Sequence, residues 1–243
     1  MTEIKVISFD AEGTLVTPDF SQAMWQEAIP ALYAQKHGLD PAQARKAIID
    51  KYAEIGDQRL EWYDIRYWFG SLGLGAPEPV IQSCLDKAGY YPEVNGLLSS
   101  LSDKYELVVA SGTPIELLRC LLRDIEFYFS HIFSSISQYR QVKSPEFYRA
   151  ICQEMGVAPH QVVHVGDNFQ FDFLVPKEVG IHAFYLDRSG KGLKGDPCPP
   201  YPLSGEGQKE RGPTLPHPLS GEGREGSLAD LNQLKSHLCW HDS

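Results

Sequence analysis

The run Ile4-Lys5-Val6-Ile7-Ser8-Phe9-Asp10 near the start of the chain does most to narrow what it can fold into. A short β-branched stretch bounded by polar residues reads as a buried strand. It closes on Asp10, with Gly13-Thr14 just beyond. A carboxylate at the C-terminal end of a parallel strand points into the crevice where open α/β sheets bind ligands. There Asp10 can act as a nucleophile or hold a metal ion. An aspartate closing a strand can equally be a turn former or a helix cap. Gly13 lets the chain leave the strand sharply, where a Cβ would clash.

The 243 residues suffice for one large domain or a core domain carrying a smaller one, and a hydrophobic fraction of 42% can fill a core. The formal net charge of −10, from 22 Lys+Arg against 32 Asp+Glu, argues against nucleic acid or an anionic membrane as the main partner. Cys84, Cys120, Cys152, Cys198 and Cys239 are scattered and form no CxxC pair. Such a set reads as reduced thiols in a cytosolic protein, neither a disulfide framework nor a zinc site. No charged-then-apolar leader is visible, and no apolar run approaches the roughly 18 residues of a membrane span. These features predict a soluble, cytoplasmic, globular protein.

After the first strand the pattern is helical for some 70 residues. Thr17-Pro18-Asp19 suits a helix start, with Trp25, Ile29, Leu32 and Tyr33 at helical spacing. Asp40-Pro41 opens a second helix capped by Asp40; a third spans about Leu60 to Leu72 and a fourth about Pro79 to Lys87. The aromatic residues here, among them Trp25, Tyr63 and Trp68, read as the core of a helical subdomain or the lining of a pocket. From Tyr91 strand and helix alternate. Val94 to Leu101 is a helix; Glu106 to Ala110, Ile132 to Ser135, Gln161 to Val165 and Ala183 to Leu186 are strands. Thr113 with Glu116 makes a capping box, with Pro114 at the first helical position. Lys143-Ser144-Pro145 leads a further helix. The alternation predicts a mainly parallel, doubly wound α/β sheet with helices on both faces. Residues 189–226 break the pattern: they are dense in Gly, Pro, Ser and charge, and Pro-Leu-Ser-Gly-Glu-Gly occurs at 202–207 and again at 218–223. They read as a disordered insertion. Ser227 to Leu231, with Leu234 and Leu238, is expected to be a short capped helix returning to the core.

Four chemically marked positions follow strands: Asp10, Ser111 with Gly112, Lys143, and Asp167 with Asp172. In a parallel sheet these ends share one edge. A basic group, a hydroxyl beside a glycine and several carboxylates meeting there suit a phosphate-and-magnesium site. Carboxylates can hold Mg²⁺, backbone N–H groups and Ser111 can bind phosphate oxygens, and Lys143 supplies a positive charge.

Phe-Asp10-Ala-Glu12-Gly-Thr14, Ala-Ser111-Gly-Thr, Lys143-Ser-Pro-Glu-Phe and Val-Gly166-Asp167-Asn-Phe-Gln-Phe-Asp172 resemble, in order, the four motifs of the haloacid dehalogenase-like hydrolase superfamily. The helical stretch between the first two resembles the cap of its subfamily I. The resemblance spans residues 4 to 188. It implies a Rossmann-type core of residues 1–15, 91–188 and 227–243, with a helical cap at 16–90. It implies an Mg²⁺-dependent phosphatase acting on a small phosphorylated metabolite. Asp10 would form an aspartyl-phosphate, and Glu12 would be the general acid and base. Ser111 and Gly112 would hold the phosphoryl group, and Lys143 would orient it. Asp10, Glu12 through its backbone carbonyl, Asp167 and Asp172 would surround the metal, Asp172 directly or as a support.

Position 12 departs from the usual phosphatase pattern, which has Asp there; Glu still shuttles a proton but reaches one methylene further. The enolase-phosphatase branch also carries Asp-x-Glu-Gly-Thr. Glu12 together with Asp167 favours phosphate chemistry over a dehalogenase attacking carbon. A catalytically silent binding protein on the same fold is the remaining alternative. His164, inside a strand, reads as a packed histidine, and Arg140 as a solvated loop charge. Asn168 either lines the pocket or caps the next helix.

Overall fold

The computed structural model describes residues 3–188 and 226–238. The expected disordered insertion at 189–226 therefore lies outside the described residues, save Gly226. Six strands form one sheet: β1 (Val6–Phe9), β2 (Glu106–Ser111), β3 (His131–Ser134), β4 (Val162–Gly166), β5 (His182–Leu186) and β6 (Ser227–Leu228). Their order is β3-β2-β1-β4-β5-β6, and every neighbouring pair is parallel. The sequence order reverses between β1 and β4, so helices leave on opposite faces there and a crevice opens at the C-terminal strand ends. Phe9 pairs in register with both Val109 and Val165, which brings the residues just beyond these three strands level with one another.

Both faces of the sheet are covered, as its near-continuous apolar strands require. Val6, Val108, Ala110 and Val162 pack on one side against Phe147, Tyr148 and Ile151 of the helix Pro145–Glu154. Ile7, Phe9, Val109, Val163 and Val165 face the other way, towards Leu97 and Leu101 of the helix Val94–Ser102 and Leu118 and Leu121 of the helix Ile115–Leu122. This period of two is the pleat written into the sequence. Two polar residues interrupt it at matched positions, Ser8 and His164, which are register partners across β1 and β4.

The stretch between β1 and β2 contains helices and no named strand. Asp40 caps Pro41–Ile55 by accepting from the backbone N–H groups of Ala42 and Gln43. A π-helical turn, Gln22–Ala28, buries Met24 and Trp25. The expected single helix from Leu60 to Leu72 is instead two, Leu60–Tyr63 and Ile65–Leu72, because the Asp64 carboxylate caps a new start at Arg66 and Tyr67. Tyr52 stands edge-on to Trp25 and Trp68, with ring centroids 5.9 and 4.7 Å away. The two chain crossings between sheet and helices are tied together: Thr17 N–H donates to Gly89 O at 2.8 Å and Tyr91 N–H to Leu15 O at 3.2 Å.

The C-terminal segment corrects one expectation. Ser227 and Leu228 extend the sheet as β6, and the helix begins only at Gln233. Hydrogen bonding to the exposed edge of β5 satisfies more backbone than an isolated first turn would. Leu228, Leu231, Leu234 and Leu238 are nonetheless all buried, so the return to the core holds. Among the described residues no helix is long and apolar enough to cross a membrane.

Candidate active site

Asp10 is the first residue beyond β1, and its N–H donates to Val165 O at 2.9 Å. The Lys143 ammonium lies 2.6 Å from Asp10 Oδ1 and 2.5 Å from Asp172 Oδ1, with all three side chains nearly inaccessible to solvent. Burial opposes the lysine's charge, but the two carboxylates outweigh it and hold Lys143 protonated above the ordinary lysine range. For Asp172 burial pushes upward, yet Lys143 and then His164 bring its pKa down to about 2. Asp172 Oδ2 also accepts the backbone N–H of Asn168 at 3.0 Å.

Behind this trio sits a buried polar chain. His164 Nε2 faces Asp172 Oδ1 at 3.2 Å and Tyr148 Oη at 3.1 Å, while Nδ1 faces Ser8 Oγ at 2.9 Å. Burial lowers the pKa of His164, favouring a neutral ring. A carboxylate only accepts, so the proton belongs on Nε2, and Ser8 then donates to Nδ1. Tyr148 passes its own proton to Phe171 O at 2.8 Å. His164 is thus packed, as its strand position suggests, and it also orients Asp172.

Asp167 follows β4 directly. Glycines let chain segments press against these carboxylates: a Cβ on Gly13, which has φ +75°, would overlap the Asp167 carboxylate, and one on Gly166 would overlap that of Asp172. Asp10, Asp167 and Asp172 each offer an oxygen, all within 4.8 Å of one another. Burial first, then the charges of Asp10 and Asp172, push the Asp167 carboxyl well above the usual range. Burial likewise raises Asp10 despite Lys143. Crowded hard oxygen donors of one sign, with a single ammonium among them, suit a divalent cation such as Mg²⁺.

Glu12 is gripped from two sides. Its Oε1 accepts from Ser21 Oγ, on the first helical turn after β1, and its Oε2 accepts from Thr113 Oγ1 at 2.8 Å, from the loop after β2. Burial raises its pKa, against the pull of both hydroxyls. The capping box expected at Thr113 and Glu116 does not form. The helix starts after Pro114 without a side-chain cap, and the N–H of Ile115 donates to Ser137 Oγ at 3.0 Å. Thr113 is held instead through its carbonyl, which accepts from Ser134 Oγ at 2.8 Å, leaving its hydroxyl for Glu12.

Ser111 ends β2, buried, and accepts the N–H of Thr113 at 3.3 Å. A Cβ built on Gly112 would come within 3.3 Å of the Tyr63 ring, so the helical stretch lies directly over this loop. Asn168 does both things foreseen for it: it caps Phe169–Leu174 by accepting from Phe171 N–H and lines the cavity. Arg140 is exposed in a left-handed turn and does not line it. The cavity bordered by Asp10, Glu12, Ser111, Gly112, Lys143, Asp167 and Asp172 encloses about 60 Å³. That is room for a phosphoryl-sized group.

The comparisons with known proteins agree with this architecture. A model of the haloacid dehalogenase-like hydrolase family matches residues 4–180. The chain is 29% identical over 72 residues to the GMP/IMP nucleotidase YrfG of Escherichia coli, a match covering 30% of this chain and 32% of that protein. It thus spans about a third of that relative's length. It is 25% identical over 189 residues to a phosphoglycolate phosphatase of Pasteurella multocida, covering 69% of this chain and 79% of the relative. Among solved structures, a phosphatase of Thermococcus onnurineus superposes with a TM-score of 0.77 at 21% identity, over 97% of this chain and 98% of that one. An L-2-haloacid dehalogenase, RSc1362, superposes with a TM-score of 0.60 at 18% identity, over 98% and 100%. At those identities the likeness is one of fold. The family match covers most of the chain: this protein belongs to the haloacid dehalogenase-like hydrolases.

Proposed function

We propose that this protein is a Mg²⁺-dependent phosphatase that hydrolyses a small phosphomonoester through an aspartyl-phosphate on Asp10. The observation that carries the reading is the pairing of two carboxyl groups with opposed surroundings at one edge of the sheet. Asp10 lies against an ammonium, while Glu12 is held only by neutral hydroxyls. An ammonium partner suits the carboxylate that attacks, and burial beside neutral hydroxyls suits the carboxyl that carries the proton. In the first step an Asp10 oxygen bonds to phosphorus and the ester P–O bond breaks, with Glu12 giving its proton to the departing oxygen. In the second, water attacks the same phosphorus, the Asp10 P–O bond breaks, and Glu12 takes the water's proton.

Lys143 offsets charge on Asp10 and the phosphoryl oxygens, and Ser111 with the Gly112 backbone offers donors to those oxygens. Asp10, Asp167 and the Glu12 carbonyl would hold the metal. Asp172, whose two oxygens already meet Lys143, His164 and Asn168, would serve it mainly by fixing Lys143. When bound, Mg²⁺ supplies positive charge that offsets the phosphate and the crowded carboxylates. Residues 16–90 would act as a cap, with the tied crossings near Thr17 and Gly89 as its hinge.

The test is phosphate release from p-nitrophenyl phosphate with and without Mg²⁺. Metal-dependent release by the wild type, lost in Asp10→Asn, is expected. Release that persists in Asp10→Asn would sink the covalent mechanism. Halide release from a 2-haloacid without metal would sink the phosphatase reading.

A further inference from the structure

We infer that the leaving group of the substrate is uncharged and largely apolar, and that monoesters bearing a second anionic group are rejected. This rests on the phosphatase reading and names the substrate class it serves. Among the described residues, the cavity lining contains four carboxylates, Asp10, Glu12, Asp167 and Asp172, and one ammonium, Lys143. That ammonium is already committed to Asp10 and Asp172. A divalent cation and a phosphate dianion cancel each other's charge, so binding them leaves no positive charge over for a further anion.

The same lining includes the apolar and aromatic side chains Phe20, Met24, Trp25, Tyr63, Leu117 and Phe171. None of these carries a cation. Tyr63 is turned so that its hydroxyl donates to Asp57 O at 3.1 Å while its ring lies over Gly112. Arg188, beyond β5, is committed elsewhere: it pairs with Glu93 at 2.7 Å, donates to Gly13 O and Thr14 O, and stacks on Tyr91. A carboxylate on the leaving group would lose its water against this wall and face like charges with no partner. A neutral group loses little water and gains apolar contact.

The experiment compares benzyl phosphate with 4-carboxybenzyl phosphate, near-equal in size and differing in one charge, using the whole wild-type chain with Mg²⁺ and phosphate release as the readout. kcat/KM is expected to favour benzyl phosphate by about tenfold or more, the equivalent of one poorly matched polar contact. Equal use of both esters would overturn the inference and leave the phosphatase reading standing. Failure to release phosphate from either ester or from p-nitrophenyl phosphate would overturn the phosphatase reading, and the inference with it. In Tyr63→Arg, which sets a cation at the half-buried position over Gly112, the preference should narrow by about tenfold as the carboxylated ester gains. An unchanged preference in a folded Tyr63→Arg protein would overturn the placement of the leaving group at this wall. The wild-type pair alone decides the inference should that variant not fold.

Discussion

The floor and the roof of the cavity are built on different physical principles. The floor joins residues far apart in sequence, with Lys143 and Asp10 separated by 133 positions, through ion pairs and hydrogen bonds centred on Lys143, Asp172 and His164. The roof comes largely from the stretch between β1 and β2, where Phe20, Met24, Trp25 and Tyr63 line the cavity and Tyr52 stands edge-on to Trp25 and Trp68. Charges in a low-dielectric setting are unforgiving, because removing one partner strands the other. Apolar surfaces of similar volume substitute for one another at modest cost. On the proposed reading the floor carries the chemistry, while the roof can be retuned to a new leaving group without dismantling it.

Four substitutions can break or sharpen that contrast. Asp10→Asn should have the largest effect, lowering kcat by about 10⁴-fold or more with the fold intact, since it removes the nucleophile. Residual turnover within tenfold of wild type would place the chemistry elsewhere. Asp172→Ala leaves Lys143 and His164 facing an emptied position, and should destabilise the chain by about 3–5 kcal/mol in urea unfolding. A loss below about 1 kcal/mol would mean that the floor relaxes as freely as the roof. Thr113→Val keeps shape and removes one hydroxyl from Glu12; kcat should fall about tenfold with little change in KM, more for alkyl than for aryl esters. A pure rise in KM would make Thr113 a binding group instead. Met24→Leu, a near-isosteric change in the roof, should cost less than about 1.5 kcal/mol and alter the ranking of substrates more than the rate of the best one. If it cost as much as Asp172→Ala, the contrast between the two regions would fail.

The core was legible because its signals are local. Apolar runs of strand length mark β1 to β5, and the runs that close on Asp10, Ser111 and Asp167 bring these residues to one edge. Lys143 was legible through the Ser144-Pro145 helix start beside it. The partners of Glu12 were not, because a serine on a helical turn and a threonine before a proline have commoner local uses. Thr113 had every mark of a cap; a contact 101 residues away claimed its hydroxyl instead. Tyr148 and His164 stayed hidden for the same reason, since nothing in a strand or helix pattern tells which buried polar side chains will meet. β6 was not legible because its two residues hydrogen-bond to an edge that exists only once β5 is in place.

The attachment of that last strand has a consequence for how the chain can vary. Tyr185 N–H donates to Gly226 O at 2.7 Å and Asp187 N–H to Leu228 O at 2.8 Å, and four buried leucines from Leu228 to Leu238 anchor the strand and the helix after it. The C-terminal segment is thus fastened by what it touches rather than by the path taken to reach it. What any variant must keep is therefore the edge of β5 and the four leucine sites packed beside it.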